Sequence, residues 1–170
     1  MKINLSLILV AVVMASGEVV RAQDAPKSEG TTQASPVKPI PKLSQEELEA
    51  IFKTTLTKAT LKGRWCSIKG SQLGPEQEDK YTINSVLKIG GDHWLINARI
   101  QYGKKDIVAP IPVQVKWAGD TPVITLDKVG VAGSGEYSAR VMIYDKTYAG
   151  TWSGGDHGGL LNGVITNEKE

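Results

Sequence analysis

The sequence has a single cysteine and a single phenylalanine in 170 residues, and its charges nearly balance, with 20 Lys and Arg against 18 Asp and Glu. One cysteine excludes a disulfide framework within the chain and a zinc site built from several thiolates. A formal net charge of +2 gives no strong electrostatic footprint for nucleic acid. What the chain does have is 18 glycines and four tryptophans, within a length that fits one ordinary domain.

The first 42 residues have the features of a leader followed by a spacer. Lys2 gives a positive start, residues 3–15 are mostly apolar, and short side chains precede Gln23 at the −3 and −1 positions. We therefore expect residues 1–22 to be a signal peptide and the protein to be exported, either periplasmic or secreted. The alternative is an uncleaved N-terminal anchor, although the apolar run falls short of the roughly 20 residues of a stable span. Residues 23–42 are rich in Pro, Ser and Thr and are predicted to be a disordered spacer.

An amphipathic helix is predicted over residues 43–58. Ser44 and Glu47 have capping-box spacing, and Leu43 can close a hydrophobic staple on Leu48. The apolar positions follow the helical period along one stripe, namely Leu48, Ile51, Phe52 and Leu56. Such a stripe favours a helix that covers a β core, and a partner-binding helix is the alternative.

Residues 59–168 alternate between apolar and polar side chains, which is typical of antiparallel strands with one buried face. Glycine-rich and Asp-containing turns separate about eight predicted strands, near residues 61–69, 80–89, 93–102, 107–117, 122–129, 136–144, 147–153 and 159–166. Short connections favour an up-and-down barrel just wide enough for side chains or one small ligand. Pro110 and Pro112 each remove a ladder donor, so their strand is expected to start late, carry a bulge or form an open edge. A partly open barrel or a sandwich is therefore the alternative.

The inward face of each strand follows from this alternation. One parity of the second predicted strand holds Tyr81, Ile83, Leu87 and Ile89. In the later strands the apolar parity holds Trp94, Ile96, Ala98, Ile100, Tyr102, Ile111, Val113, Val115, Trp117, Tyr137, Ala139, Val141 and Ile143. These residues are the predicted barrel interior.

Two short motifs resemble known barrels. Leu61-x-Gly63-x-Trp65, followed by Gly70-Ser71, resembles the opening strand and turn of the avidin family, and its Gly-x-Trp element also resembles the lipocalin signature. Residues 151–154, Thr-Trp-Ser-Gly, are similar to a stretch of streptavidin-type barrels. The resemblance implies a calycin-type, eight-stranded barrel that holds a small organic ligand at one open end. Ser71 matches the ligand-binding serine of that family, whereas Ser67 stands where the family has asparagine.

A ligand in such a barrel would be held by aromatic walls and a few orienting hydroxyls. The candidate ligand-binding residues are Trp65, Ser67, Ser71, Tyr81, Trp94, Trp117 and Trp152. The alternative for the tryptophans is ordinary core filling in a domain with one phenylalanine. The charged residues around Lys62, Arg64 and Asp79 are interpreted as a solvated surface.

Gly-Gly-Asp-His occurs twice, ending at His93 and at His157. Two Asp-His pairs that converge would make a metal or acid–base site, and turn chemistry is the alternative. Cys66 has the parity opposite to Trp65 and is expected to be an inert thiol, with an intermolecular disulfide as the exception. The sequence has no phosphate loop, nucleophile elbow or metalloprotease motif, so no cofactor is predicted.

Three functional hypotheses follow, in order of preference. The first is an exported β-barrel that binds a small organic or apolar ligand non-covalently. The second is an interaction module of the cell envelope, in which the glycine-rich segment 154–159 meets a protein partner. The third is a metal-dependent enzyme that uses both Asp-His pairs. None of them involves nucleic acid or, after signal cleavage, a stable membrane span.

Overall fold

The computed structural model describes residues 42–131 and 135–167, which form one helix and nine strands. The predicted signal peptide (1–22) and nearly all of the predicted spacer (23–42) lie outside these residues. The elements are α1 (Gln45–Leu56), β1 (Ala59–Lys69), β2 (Gln72–Leu73), β3 (Gln77–Gly90), β4 (His93–Tyr102), β5 (Lys105–Ala118), β6 (Thr121–Val131), β7 (Gly135–Tyr144), β8 (Thr147–Gly154) and β9 (His157–Asn167). Within the described residues, no helix is long and apolar enough to cross a membrane.

Eight of the strands form a closed barrel with up-and-down topology. Each strand from β3 to β8 pairs antiparallel with the next one along the chain, β1 pairs with β3, and the β1–β9 ladder closes the barrel. Strand β2 is a two-residue hairpin arm on the end of β1. The predicted eight-stranded antiparallel barrel with one preceding helix is confirmed, and a sandwich is excluded.

Helix α1 covers one end of the barrel. The capping box is formed: the Ser44 hydroxyl accepts from the Glu47 amide, while the Glu47 carboxylate accepts from the Ser44 amide at 2.7 Å. Leu48, Phe52 and Leu56 are buried, and Phe52 makes edge contacts with Trp94 of β4 and Trp117 of β5. Three of the four residues of the predicted apolar stripe are therefore buried.

Ile51 is the residue that leaves the stripe. It remains 51% exposed, because the buried face follows the i, i+4 spacing of Leu48, Phe52 and Leu56 and the barrel end contacts the helix along that line only.

A β-bulge changes the inward face of β3. The register to β4 shifts between Ile83 and Ser85, so the inward parity passes from Tyr81 and Ile83 to Val86. Leu87 and Ile89, predicted to face inward, are exposed on the outer surface. That part of the prediction was wrong, since one extra residue turns every later side chain to the other face.

The two prolines of β5 do not shorten or bulge the strand. Asn97 lies opposite Pro110 and Leu95 opposite Pro112 in an unbroken ladder with β4. On the other side, β5 pairs with β6 only through residues 114–118 and 121–125. Both prolines therefore lie where β5 has no ladder to β6, which is the locally open edge that proline tolerates.

Candidate functional site

The barrel interior contains a cavity of about 280 Å³ between its middle and the end away from α1. The side chains at the helix-covered end, including Phe52, Trp94 and Trp117, do not line it. Its wall is made mostly of aliphatic side chains from the inner face: Leu61, Ile83, Ile96, Ala98, Ile100, Ile107, Ile111, Val113, Ile124, Leu126, Val131, Ala139, Val141 and Leu161. We call the end away from α1, where β1 ends and β9 begins, the far end.

Aromatic rings surround the cavity at the far end. Trp65 and Trp152 meet edge to face with ring centroids 5.4 Å apart, and Trp65 also meets Tyr102 at 6.4 Å. His157 packs edge to face on Trp152 at 5.4 Å, and the hydroxyls of Tyr102 and Tyr137 are 3.4 Å apart. We call these five residues the aromatic rim. The perpendicular rings present both faces and edges to the cavity, which suits apolar and aromatic ligands.

The rim carries two buried hydrogen-bond donors that have no acceptor among the residues that the structure describes. They are the indole Nε1 groups of Trp65 and Trp152. The Trp152 ring lies over Gly159 of β9, where an added Cβ would come within 2.9 Å of Nε1. A buried N–H group without a hydrogen-bond acceptor costs free energy.

A hydrogen-bonded polar cluster lies in the interior beneath this rim. Asp79 of β3 is 5% exposed, and its two carboxylate oxygens accept from different hydroxyls. Tyr148 donates to one oxygen at 2.9 Å, and Tyr81 donates to the other at 3.0 Å. Tyr81 and Tyr148 line the cavity, while Asp79 does not contribute to its surface. We call these three residues the polar floor.

Burial determines the titration of the polar floor. Desolvation raises the pKa of Asp79 above its ordinary value, although both tyrosine hydrogen bonds oppose that shift. Desolvation, followed by the nearby Asp79 charge, raises the pKa of Tyr81 and of Tyr148 well above the ordinary range. At the rim, the hydrogen bond with Tyr102 raises the pKa of Tyr137 to about 12. Tyr81, Tyr137 and Tyr148 therefore carry neutral phenol groups at physiological pH.

Two glycines make the polar floor possible. Tyr148, Gly163, Gly63 and Asp79 lie opposite one another on the adjacent strands β8, β9, β1 and β3. The Tyr148 ring passes over both glycines to reach Asp79. A Cβ on Gly63 would lie 2.4 Å from the Tyr148 hydroxyl oxygen, and one on Gly163 would lie 2.6 Å from its ring. The glycine of the Gly-x-Trp motif, Gly63, thus leaves the space that the Tyr148 side chain occupies.

The structure brings together three of the seven predicted ligand-binding residues. Trp65, Tyr81 and Trp152 all line the cavity. Trp94 and Trp117 pack on Phe52 at the helix-covered end, in the core-filling role that was the alternative.

The two predicted serines lie away from the cavity wall. The Ser67 carbonyl accepts from the Gly74 amide at 2.7 Å, and its hydroxyl is close to the Gly74 backbone. Ser71 is exposed in the turn between β1 and β2. Neither hydroxyl is in a position to orient a ligand inside the barrel.

The sequence analysis did not include four aromatic side chains of the cavity among the ligand-binding residues, or the carboxylate behind them. Tyr102 and Tyr137 have the inward parity that was predicted, and that parity was the available signal. Tyr148 and His157 had no parity assigned to them. Asp79 was interpreted as part of a solvated surface, and this was wrong: it has the same inward parity as Tyr81.

The two Asp-His pairs do not converge. His93 begins β4 at the helix-covered end, where Asp92 forms an ion pair with Lys116 at 2.5 Å. His157 begins β9 at the far end, where its Nδ1 is 3.2 Å from Asp156. Among the described residues, no group of three or more His, Cys, Asp or Glu side chains is placed to hold a metal ion. Both pairs lie at strand-connecting turns.

Cys66 is a buried free thiol on the outward parity of β1. It is separate from the residues that line the cavity. Its burial agrees with the expectation of an inert thiol.

Comparisons with known proteins give no relative on which to base an assignment. No family model matches the chain, and neither curated proteins nor solved structures give a match. The closed eight-stranded antiparallel barrel with one helix is consistent with a calycin-like fold.

Proposed function

We propose that this protein binds a small, mainly apolar organic molecule inside its barrel. The observation that carries the proposal is the cavity of about 280 Å³, which has aliphatic walls, an aromatic rim and only a few polar groups. Ligand sites have this character, with an apolar lining and a small number of placed polar atoms. A barrel made only for stability would be filled by side chains, as the helix-covered end is around Phe52.

We also propose that the protein is related to avidin- and lipocalin-like proteins and that it is exported. Both residues of the Gly-x-Trp motif contribute to the site. Gly63 leaves space for the Tyr148 ring, and Trp65 is part of the aromatic rim. Residues 1–22 supply the expected signal for an exported binding protein. In this account the protein captures its ligand outside the cytoplasm.

The test is a fluorescence titration with the neutral probe N-phenyl-1-naphthylamine, on the native protein and on two variants. Ala139→Phe places a ring in the cavity, because Ala139 lines it from β7. Ala149→Phe adds the same ring at an exposed position of β8 and is the matched control. Saturable binding that is lost in A139F and kept in A149F supports the proposal. Absence of saturable binding to native protein, or equal binding by both variants, contradicts it.

A second candidate, an envelope interaction module, has one specific observation in its favour. The outer face of β7 and β9 carries exposed apolar side chains, namely Met142, Tyr144, Leu160 and Val164. Exposed apolar side chains on two strands that flank β8 can mark a protein contact. Sedimentation of the native protein and of M142S/V164S tests whether this face associates, independently of the cavity.

A further inference from the structure

Among the described residues, no cationic side chain pairs with the Asp79 carboxyl group of the polar floor. Asp79 accepts hydrogen bonds from two neutral phenols, and the causes of its pKa shift include no cation. Among the described residues that line the cavity, none is Lys or Arg, and His157 at the rim is the one group that can become cationic. In its ionised form, a buried carboxylate of this kind is stabilised by hydrogen bonds, and its negative charge still attracts a nearby cation.

The hydrogen bonds also fix the polarity of the floor. A tyrosine hydroxyl has one proton to donate, and both Tyr81 and Tyr148 donate theirs to Asp79. Their oxygens can therefore only accept hydrogen bonds from a ligand in the cavity. The floor suits a ligand N–H or O–H and gives no donor to a carboxylate, phosphate or sulfonate.

The aromatic rings add attraction for a cation. Tyr81 and Tyr148 pack edge to face at 87° with ring centroids 6.2 Å apart, and both residues line the cavity. A cation over an aromatic face in a water-poor site is stabilised by the ring quadrupole.

We propose that the barrel selects apolar organic amines, bound as ammonium ions with their N–H groups on the oxygens of Tyr81 and Tyr148 and the charge of Asp79 behind them. This inference rests on the proposed function, since it names the class of ligand for the same cavity. The apolar body of the amine lies among the aliphatic walls, and the aromatic rim closes over it. Anions of the same size are rejected by the carboxylate and by the absence of donors at the floor.

The test uses three matched probes that differ only in their polar end: 4-phenylbutylamine, 4-phenyl-1-butanol and 4-phenylbutyrate. Their affinities for the full native protein are measured by calorimetry at neutral pH. The amine should bind at least tenfold more tightly than the alcohol, and the carboxylate should bind most weakly. Asp79→Asn should lower amine affinity at least tenfold while leaving the alcohol nearly unchanged. Asp120→Asn, which removes an exposed carboxylate in the β5–β6 turn, should change neither affinity.

The outcomes separate this inference from the proposed function. If the alcohol or the carboxylate binds as tightly as the amine, or if D79N keeps the preference for the amine, amine selection is overturned while ligand binding stands. If none of the three probes and no N-phenyl-1-naphthylamine binds, the proposed function fails and the inference fails with it. Should D79N not fold, as judged by circular dichroism, the probe series on the native protein decides.

Discussion

Tyr148 shows how single residues connect the fold to the site. It is among the most deeply buried large side chains, and its hydroxyl reaches Asp79 only because two neighbouring strands carry glycine at the crossing points. Of the four facing positions on β8, β9, β1 and β3, the two middle ones have no side chain, and the Tyr148 ring fills that space and hydrogen-bonds to Asp79. Gly63 is needed for space rather than for an unusual backbone conformation.

Replacing Gly63 by alanine should destabilise the protein strongly. The new Cβ would lie 1.9 Å from the Asn162 carbonyl oxygen and 2.4 Å from the Tyr148 hydroxyl, so the backbone of β9 must move. We expect a loss of on the order of 3 kcal/mol or more in the free energy of unfolding, measured with urea. Gly130→Ala is the control: nothing lies within 4 Å of its added Cβ, and the change should stay within about 0.5 kcal/mol. Equal stabilities for G63A and G130A would refute this account of the glycine.

Asp79 should give stability a characteristic pH dependence. Burial raises the pKa of Asp79 in the folded protein above the ordinary value of 3.8, so the folded state holds this proton more tightly than the unfolded chain does. Stability should therefore fall as pH rises from the unfolded value through the raised folded value. The exposed carboxylates Asp92 and Asp106 act in the opposite direction, because the hydrogen bonds that Lys116 and Arg99 donate to them lower their pKa values.

Comparison with Asp79→Asn isolates this one group, because the exposed carboxylates titrate equally in both proteins. The free energy of unfolding of the native protein minus that of D79N should decrease as pH rises from below 3.8 to neutral. Urea unfolding at a series of pH values measures the difference. A difference that rises over this range would show that Asp79 is stabilised as the ion more than burial penalises it.

At the scale of elements, the existence of α1 depends on local sequence, whereas its buried face depends on tertiary packing. Its capping box and apolar spacing could be predicted from the sequence because they depend on residues three and four apart. Which residues of the stripe become buried depends on the barrel end that the helix meets, and that end is built from distant strands. Ile51 was misplaced for this reason, whereas Phe52 was not.

Phe52→Ala should weaken the covered end of the barrel. Phe52 is 2% exposed and contacts Trp94 and Trp117, so its loss leaves a cavity between helix and strands. We expect a loss of about 3–5 kcal/mol in the free energy of unfolding. Ile51→Ala, one residue earlier on the same helix, removes an exposed side chain and should cost about 0.5 kcal/mol or less. Similar losses for both variants would mean that α1 is seated differently.

The strands show the same division between local and distant information. Strict alternation in β4, β5 and β7 identified their inward faces, because the period of two persists as long as the ladder is regular. The bulge in β3 carries no local signal, and it reversed the faces of Leu87 and Ile89. Pro110 and Pro112 correctly predicted a break in the hydrogen-bond ladder of β5, and the break lies on the side that faces β6.

At the scale of the whole molecule, the two halves of the barrel are packed differently. The half covered by α1 is filled with side chains around Phe52, Trp94 and Trp117, and the other half contains the cavity. Eight strands and their order could be predicted from turns and alternation. The division of four similar tryptophans between the two halves could not, since it depends on where the helix lies.

This division provides the most direct test of the central claim, because each half carries two tryptophan indoles. In a ¹⁵N-labelled protein with its four indole N–H signals assigned by Trp→Phe variants, N-phenyl-1-naphthylamine is added to saturation. If the ligand binds in the cavity, the signals of Trp65 and Trp152 should shift, while those of Trp94 and Trp117 stay nearly in place. Unchanged rim signals, or larger shifts at Trp94 and Trp117, would contradict a ligand site in the far half of the barrel.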